Sequence, residues 1–484
     1  MNLGPCVCCF VLLSCMSLLA ISPTPPDFHF GKPDLKLLEE ANQIDEAYAR
    51  KGLIVTDPEI NSYLEFVGNK VLANQPPLQY VNFKFRVLRD PIVNAWALPN
   101  GSVYVTTGLI ARLQNEAQLA GVLSHEITHV THRHSYLHNR DMRKKMVALD
   151  LFQAASAVGG AWAQGAANAG NSAMTAQQAA SALRQQLYGM SAEIAGALGQ
   201  SIMIASIVGY GREQEREADD NGVERMVTAG YDPHAVPEAL NLLDEHLEYE
   251  PIITFYRDHP KTSDRVAETT KLADSQPAVA HGTYTESDYL ARFAPVIVYN
   301  IRADLGSRRE RTAVARARRL LAWKPDDLSY QTLLADCYRG LGAKAPEPSA
   351  DELSRHGVAV DRQLYFKLTE AEEQKTLRAR PGGEAQLAAN RRAAEQGYLV
   401  VIAKDPTRAD AFLGLGFLYE DEERKAQALD QYQRFLKVAQ PENYQRLRIQ
   451  RRVETLQKGL PAASASSTDP HEPATHAPAV TRER

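Results

Sequence analysis

The chain has 484 residues, of which 23% are charged and 44% are hydrophobic, and its formal net charge is -5. This length allows two or three domains, and the composition is that of an ordinary globular protein rather than a fibrous or disordered one. Charges of both signs are spread along the chain, so there is no basic footprint of the kind that binds nucleic acid. Small molecules and other proteins remain as partners, and we expect no nucleic acid.

Four of the five cysteines lie in the first fifteen residues, in or beside an apolar run from Val7 to Ile21. The run is shorter than a typical membrane-spanning helix and ends at a Ser-Pro-Thr-Pro-Pro sequence, a pattern typical of an export signal. We therefore expect a signal peptide at 1–22 and a protein that acts in the periplasm or cell envelope. No Lys or Arg precedes the run and Pro23 disfavours cleavage after Ser22, so the cut site stays open. Lipid attachment at Cys15 is the alternative.

The first predicted elements are two helices between Asp34 and about Gln75, joined near Asp57 and Pro58, because these two residues suit a helix cap and a first turn. Alternating residue types then predict strands at 82–88, 95–98 and 102–106, separated by turns that contain proline or glycine. We expect a small antiparallel sheet. The third strand is expected to be an edge strand that pairs with an extended substrate, through Ser102, Val103, Tyr104, Val105 and Thr106.

A longer helix follows, because Leu119, Leu123, Ile127 and Val130 recur at spacings of four, four and three. It is expected to run from roughly residue 116 to 134. Residues 146–209 are rich in Ala, Gly, Ser and Gln and poor in charge. That composition fits a helical hairpin packed on the preceding domain or a mobile lid over its site, and it is too polar for a membrane span.

Beyond about residue 305, small and aromatic residues recur with the tetratricopeptide period of about 34 residues. Ala394 and Tyr398 are followed at this spacing by Ala428 and Tyr432. Small residues at such positions let paired helices touch, and aromatic residues fill the space between pairs. We expect an α-solenoid of tetratricopeptide repeats, with a plain helical bundle as the alternative.

Residues 125–129 read His-Glu-Ile-Thr-His on the predicted long helix. Two histidines four residues apart project from one face of a helix and can bind one metal ion, with Glu126 beside the ion. Chance would produce this pentad in a chain of this size only on the order of a few per cent of the time. Zinc sites of this kind need a third protein ligand and leave the fourth position open for water.

The third ligand has to come from elsewhere in the chain, because positions 132 and 135 hold His and Ser rather than the Gly and His of a metzincin. A predicted helix that begins near Arg212 carries Glu215 and Asp219 on one face. One of these two can ligate the metal while the other accepts the N–H of a ligating imidazole. The remaining acidic residues of this stretch are expected to face solvent: Glu213, Glu217 and Asp220.

Several segments together resemble the gluzincin family that includes the CAAX prenyl protease, HtpX and the periplasmic BepA-like peptidases with C-terminal tetratricopeptide repeats. The resemblance covers roughly residues 35–275 and is carried by 94–101, 103–109, 125–129, 215–219, His259-Pro260 and Arg265. It implies a zincin-like domain in an α+β, mostly α, fold, with one Zn2+ per chain. The implied ligands are His125, His129 and Glu215, and the implied residues that support them are Asp219 and Arg265.

The resemblance also implies a role for His259. In BepA-like members this histidine can take the fourth position on zinc and hold the enzyme inactive, so we expect it to act as a metal ligand. When displaced it could stabilise the oxyanion of the reaction. A helix-capping loop histidine is the alternative. Three further histidines near the site are expected to be solvated or to support it: His132, His134 and His138.

The expected reaction is hydrolysis of peptide bonds, in which zinc acidifies its water and Glu126 moves the proton to the leaving amine. By resemblance, the substrates are unfolded or misassembled proteins of the cell envelope, and the repeats dock on the outer-membrane assembly machinery. A chaperone or adaptor with a latent zinc site and a secreted protease of broad specificity are the rival interpretations.

The predicted boundaries are 1–22 for the signal peptide, 27–290 for the metallopeptidase domain, 305–345 for a first tetratricopeptide-like block, 346–385 for a linker with connecting helices, 386–458 for a second block and 459–484 for a disordered tail.

Overall fold

The computed structural model describes residues 28–73, 75–141, 143–144, 210–244, 262–277, 282–343, 375–378 and 381–459. The chain forms two compact units, Met1–Asp304 with Pro348–Phe366 and Leu305–Glu347 with Lys367–Arg484. The predicted signal peptide, the insert at 146–209, His259 and the predicted tail from residue 460 onward lie outside the described residues. Within the described part, no helix is both long and apolar enough to cross a membrane.

The first unit begins with the two predicted helices, α1 (Lys32–Arg50) and α2 (Pro58–Val71). Asp57 caps α2, because its side chain accepts hydrogen bonds from the backbone N–H groups of the second and third helical residues. α1 buries Tyr48 against Trp96 and Tyr104 of the sheet. On α2, a Cβ at Gly68 would lie 2.4 Å from the ring of Phe85, so α2 lies directly on the sheet there.

The three predicted strands are present, as β1 (Lys84–Leu88), β2 (Ala95–Ala97) and β3 (Ser102–Thr106). Their order is β1-β3-β2, with β3 parallel to β1 and antiparallel to β2. The prediction of an antiparallel sheet is therefore wrong. The chain reverses direction once between β1 and β2 and again in the turn at Gly101. After two reversals β3 runs in the same direction as β1, so the two strands pair in parallel.

The predicted edge strand is also wrong, because β3 is the central strand and is hydrogen-bonded on both sides. It cannot receive a further strand, and among the described strands the edges of the sheet are β1 and β2. Elements cover both faces of the sheet, which is why every residue of the strand is buried. The correction applies to Ser102, Val103, Tyr104, Val105 and Thr106.

The rest of the first unit is helical. Its further helices are α3 (Thr107–Arg112), α4 (Glu116–Thr131), α5 (Arg212–Thr228), α6 (Ala235–Asp244), α7 (Thr262–Ser275) and α8 (Glu286–Gly306), and residues 134–141 are also helical. α4 is the central helix: α2, α5, α6 and the sheet pack around it, and every residue from Ala117 to Thr131 is buried. Asn115 caps α4 by accepting the backbone N–H of Gln118.

The described part of the second unit consists mainly of six helices: α9 (Glu310–Trp323), α10 (Leu328–Gly342), α11 (Gly383–Lys404), α12 (Ala409–Asp421), α13 (Lys425–Val438) and α14 (Arg446–Gly459). Each helix packs against the next one along the chain. A Cβ at Gly414 would lie 2.4 Å from the ring of Tyr398, and one at Gly416 would lie 2.5 Å from that of Tyr432. Glycine thus lets an aromatic ring fill each contact, although the tetratricopeptide assignment itself stays a prediction. The described chain is mostly helical with one small sheet, which agrees with the predicted α+β class.

Candidate metal centre

The two histidines of the pentad lie one turn apart on α4, where both are buried. The Nε2 atoms of His125 and His129 are 3.0 Å apart. Because the helix is packed on all sides, neither imidazole can turn away to solvent. Helical periodicity and the buried stripe together direct both rings to one point.

Glu215, on α5, brings the third donor to the same point and is fully buried. Its Oε2 lies 3.5 Å from Nε2 of His125 and its Oε1 lies 3.6 Å from Nε2 of His129. Donors at about 2.1 Å from a tetrahedral zinc ion are about 3.4 Å apart, so these separations fit one ion. Two imidazoles and one carboxylate are also the donor set of catalytic zinc sites. The ligand atoms of these three side chains all lie within 4.8 Å of one another, and among the described residues no other three His, Cys, Asp or Glu side chains come together in this way.

Asp219 lies one turn further along α5, and its Oδ1 is 2.9 Å from Nδ1 of His125. Two nitrogens of Arg265, on α7, each lie 2.7 Å from the Asp219 carboxylate. Burial alone would raise the pKa of Asp219, but the charge and hydrogen bonds of Arg265 outweigh it and lower that pKa. Burial would likewise lower the pKa of His125, but hydrogen bonds to Asp219 and Glu215 raise it to about 10 in the metal-free protein.

Glu126 follows His125 on α4, and its side chain is fully buried beside the ligands. Burial raises the pKa of this carboxyl group to about 7. The value of about 7 is a balance, in which Glu215 adds to the effect of burial, whereas His125, Arg265 and the backbone amide of Ala97 oppose it. A carboxyl group with a pKa near neutrality can both accept and release a proton under physiological conditions.

His129 is surrounded by groups whose contacts with it the sequence did not specify, although His134 was expected near the site. Nδ1 of His134 lies 2.8 Å from Nδ1 of His129, and Nε2 of His134 lies 3.2 Å from Oε2 of Glu217. Tyr210 stacks on the other side of His129, with ring centroids 4.0 Å apart and planes at 18°. The Tyr210 hydroxyl group lies 2.8 Å from Oγ of Ser135.

One expectation about these neighbours changes, and another is reduced to one of its two alternatives. Glu217 was expected to face solvent, but its carboxylate lies between His132 and His134, and its side chain is 42% exposed. His132 and His134 were expected to be solvated or to support the site, and their burial excludes the first alternative. Tyr210 was missed; the signal that could have found it is an aromatic residue one position before the cap of α5. Glu213 is exposed as expected, and Asp220 is half-buried.

His259 lies outside the described residues, so its predicted roles as a fourth ligand and as an oxyanion-stabilising group stay predictions. The other predicted site residues do converge. His125, His129, Glu215, Asp219 and Glu126 form one buried cluster.

Comparison with known proteins supports this arrangement. Residues 58–273 match the profile described as Peptidase family M48. The chain is 28% identical over 242 residues to the beta-barrel assembly-enhancing protease of Yersinia pestis, covering 49% of this chain and 43% of the relative. It is 25% identical over 306 residues to the protein of that name in Escherichia coli (strain K12), covering 60% of this chain and 56% of the relative.

A shorter match is to the mitochondrial metalloendopeptidase OMA1 of Arabidopsis thaliana, at 36% identity over 101 residues, or 21% of each chain. The chain thus spans about half the length of the beta-barrel assembly-enhancing proteases that it matches. The converging histidines and the carboxylates of α5 all lie inside the matched span. Residues 58–273 of this chain therefore form a domain of peptidase family M48.

Proposed function

We propose that this chain is a zinc-dependent endopeptidase. The observation that carries the proposal is the convergence of His125, His129 and Glu215 on one point, with the buried carboxyl group of Glu126 beside it. The family match and relatives that are named proteases support the same reaction class.

His125, His129 and Glu215 would hold a zinc ion, which would supply an acidified water and polarise the peptide carbonyl. Glu126, buried beside the ligands, would take the proton of the attacking water as the new C–O bond forms and give it to the leaving amine as the C–N bond breaks. Asp219 accepts the N–H of His125 at Nδ1 and so leaves Nε2 for the metal. The guanidinium group of Arg265 donates to both carboxylate oxygens of Asp219, and this fixes the carboxylate that orients the His125 ring.

We assign substrate pairing to β2 rather than to β3. The antiparallel ladder uses the backbone groups of Asn94 and Leu98, since Asn94 O accepts from the N–H of Thr106 and the N–H of Leu98 donates to Ser102 O. Alternation along such a ladder directs the N–H and C=O groups of Ala95 and Ala97 away from β3. An extended peptide that paired with them through backbone hydrogen bonds would be recognised broadly in sequence but only when unfolded. It would have to displace what buries Ala95 and Ala97.

The cellular role that we propose is quality control or assembly of misfolded or outer-membrane proteins in the cell envelope. It rests on relatives named beta-barrel assembly-enhancing proteases and on the predicted signal peptide. Unfolded or misassembled proteins are the proposed substrates. The second unit, with its predicted repeats, is the proposed contact with the outer-membrane assembly machinery.

The proposal is tested by metal analysis of the purified protein and by casein cleavage with wild type and Glu126→Gln. We expect about one zinc per chain and loss of cleavage in the variant, with Glu213→Gln as the control because Glu213 is an exposed acid on α5. Undiminished cleavage by Glu126→Gln would refute the assignment. Full activity of that variant in cells, despite lost cleavage, would favour the chaperone or adaptor interpretation.

His259→Ala tests the proposed brake. If this residue holds the resting enzyme inactive, the variant should cleave casein faster than wild type. Slower cleavage with unchanged zinc content would point instead to oxyanion stabilisation.

A further inference from the structure

We propose that His134 and Glu217 are positioning residues for the ligand His129. They form a chain of hydrogen bonds, here called the His129 relay, that runs from His129 through His134 to Glu217. The inference rests on the proposed metal site and deepens it, because it states how the second imidazole is held ready for zinc.

The directions of the hydrogen bonds follow from the chemistry of the atoms. If Nε2 of His129 binds zinc, the proton of its neutral ring is on Nδ1 and must be donated. The atom 2.8 Å away is Nδ1 of His134, which therefore accepts and carries no proton. The proton of His134 is then on Nε2, which lies 3.2 Å from the Glu217 carboxylate. An ionised carboxylate has no proton to donate, so it accepts this hydrogen bond. Each contact thus has one donor and one acceptor, and zinc at Nε2 of His129 allows only this arrangement of the protons.

The relay exists because α4 ends where it does. In a continuous helix, residues five positions apart point about 140° away from each other, so His134 could not reach His129. α4 ends at Thr131, and Arg133 adopts a left-handed conformation with φ of 58°. The chain turns there, and His134 comes alongside the ring of His129 as a helical stretch restarts at 134.

The relay also separates negative charges. Asp219 contacts His125 directly, but it is buried with the cation of Arg265. A second carboxylate placed directly on His129 would add another buried negative charge beside Glu215, at a cost that a neutral imidazole avoids. The relay moves that charge out to Glu217, whose side chain is 42% exposed and keeps contact with water. His132 lies near the other oxygen of Glu217, at the longer distance of 3.5 Å.

The test is the zinc affinity of the full-length protein, measured by competition with a chromophoric chelator. His134→Ala should weaken zinc binding roughly 10- to 100-fold, the usual effect of losing a residue that orients a metal ligand. Glu217→Ala should weaken it about tenfold, at the lower end of that range. Glu217→Gln should stay near wild type, because its amide oxygen still accepts from His134. Glu213→Gln, an exposed acid one turn away, is the matched control for loss of charge.

Two further measurements separate positioning from folding. The visible spectrum of the cobalt-substituted protein should shift in His134→Ala and Glu217→Ala but not in Glu217→Gln or the control. Thermal unfolding of the metal-free proteins shows whether the alanine variants are folded. If His134→Ala does not fold, Glu217→Ala still tests the relay, because the Glu217 side chain is partly exposed.

The inference is overturned if Glu217→Ala binds zinc as wild type does, or if Glu217→Gln weakens binding as much as Glu217→Ala. A wild-type protein that binds no zinc would refute the proposed function and this inference together. Wild-type binding with unchanged variants refutes the relay alone.

Discussion

Replacing Glu126 by glutamine should stabilise the metal-free protein while it abolishes hydrolysis. Burial raises the pKa of this carboxyl group from 4.5 to about 7. Because the folded-state pKa lies above the unfolded value, the folded protein binds this proton more tightly. The resulting stability is fully present below about pH 4.5 and is lost as the pH rises through about 7.

The magnitude follows from that difference. At 1.36 kcal/mol for each pH unit, the change from 4.5 to about 7 corresponds to about 3 kcal/mol of stability lost by the wild type at pH 8. Glutamine is nearly isosteric with the protonated acid and is uncharged at every pH. The variant should therefore be about 3 kcal/mol more stable than wild type at pH 8 and nearly equal to it at pH 4.5.

Urea unfolding in the presence of EDTA between pH 5 and 8 measures this difference. The metal must be absent because a bound cation would favour the ionised carboxylate and hide the effect. Glu213→Gln is the control, since an exposed carboxylate should show no such pH-dependent difference. Equal stability of Glu126→Gln and wild type at pH 8, or a difference that does not change with pH, would contradict the reasoning.

Three further predictions concern the same unit. His125 has a pKa of about 10 in the metal-free protein, so zinc must displace its proton. Chelator competition should therefore show zinc affinity rising about tenfold per pH unit between 6.5 and 8.5. An affinity that does not change with pH would contradict the displacement of a proton. Asp219→Ala removes the carboxylate that pairs with the buried guanidinium group of Arg265, and urea unfolding should show a loss of about 3–5 kcal/mol in the free energy of unfolding. A loss below about 1 kcal/mol would show that the pair is not buried as described. Gly108→Ala places a Cβ 2.4 Å from two backbone carbonyl oxygens and should cost about 1–3 kcal/mol, whereas Gly306→Ala, with no atom within 4 Å, should not lower the melting temperature.

The helical part of the site was predictable because it depends on local spacing. Four residues separate His125 from His129 and Glu215 from Asp219, and one helical turn places each pair on one face. Apolar periodicity located α4 to within three residues of its observed end. That Glu215 meets the histidines required only that the two helices pack against each other.

The sheet was not predictable in the same way, since strand order depends on contacts between distant segments. Two reversals and three strands are compatible with β3 at an edge or in the centre, and the residues of β3 look alike in both cases. The contacts of His129 with its neighbours were not predicted, for a related reason. Glu217 and His134 are 83 residues apart, and their contact depends on how α4 ends and α5 is placed.

The three buried carboxyl groups of the site are stabilised in different ways, and the difference bears on their chemistry. Asp219 is paired with a guanidinium group, which lowers its pKa. Glu215 faces both imidazoles, at the point where a divalent ion would balance its charge. For Glu126 the largest influence is burial rather than a paired cation, and its pKa is about 7. Unlike Asp219, whose pKa is lowered, Glu126 changes its charge near neutral pH in the metal-free protein, and that property suits a general base.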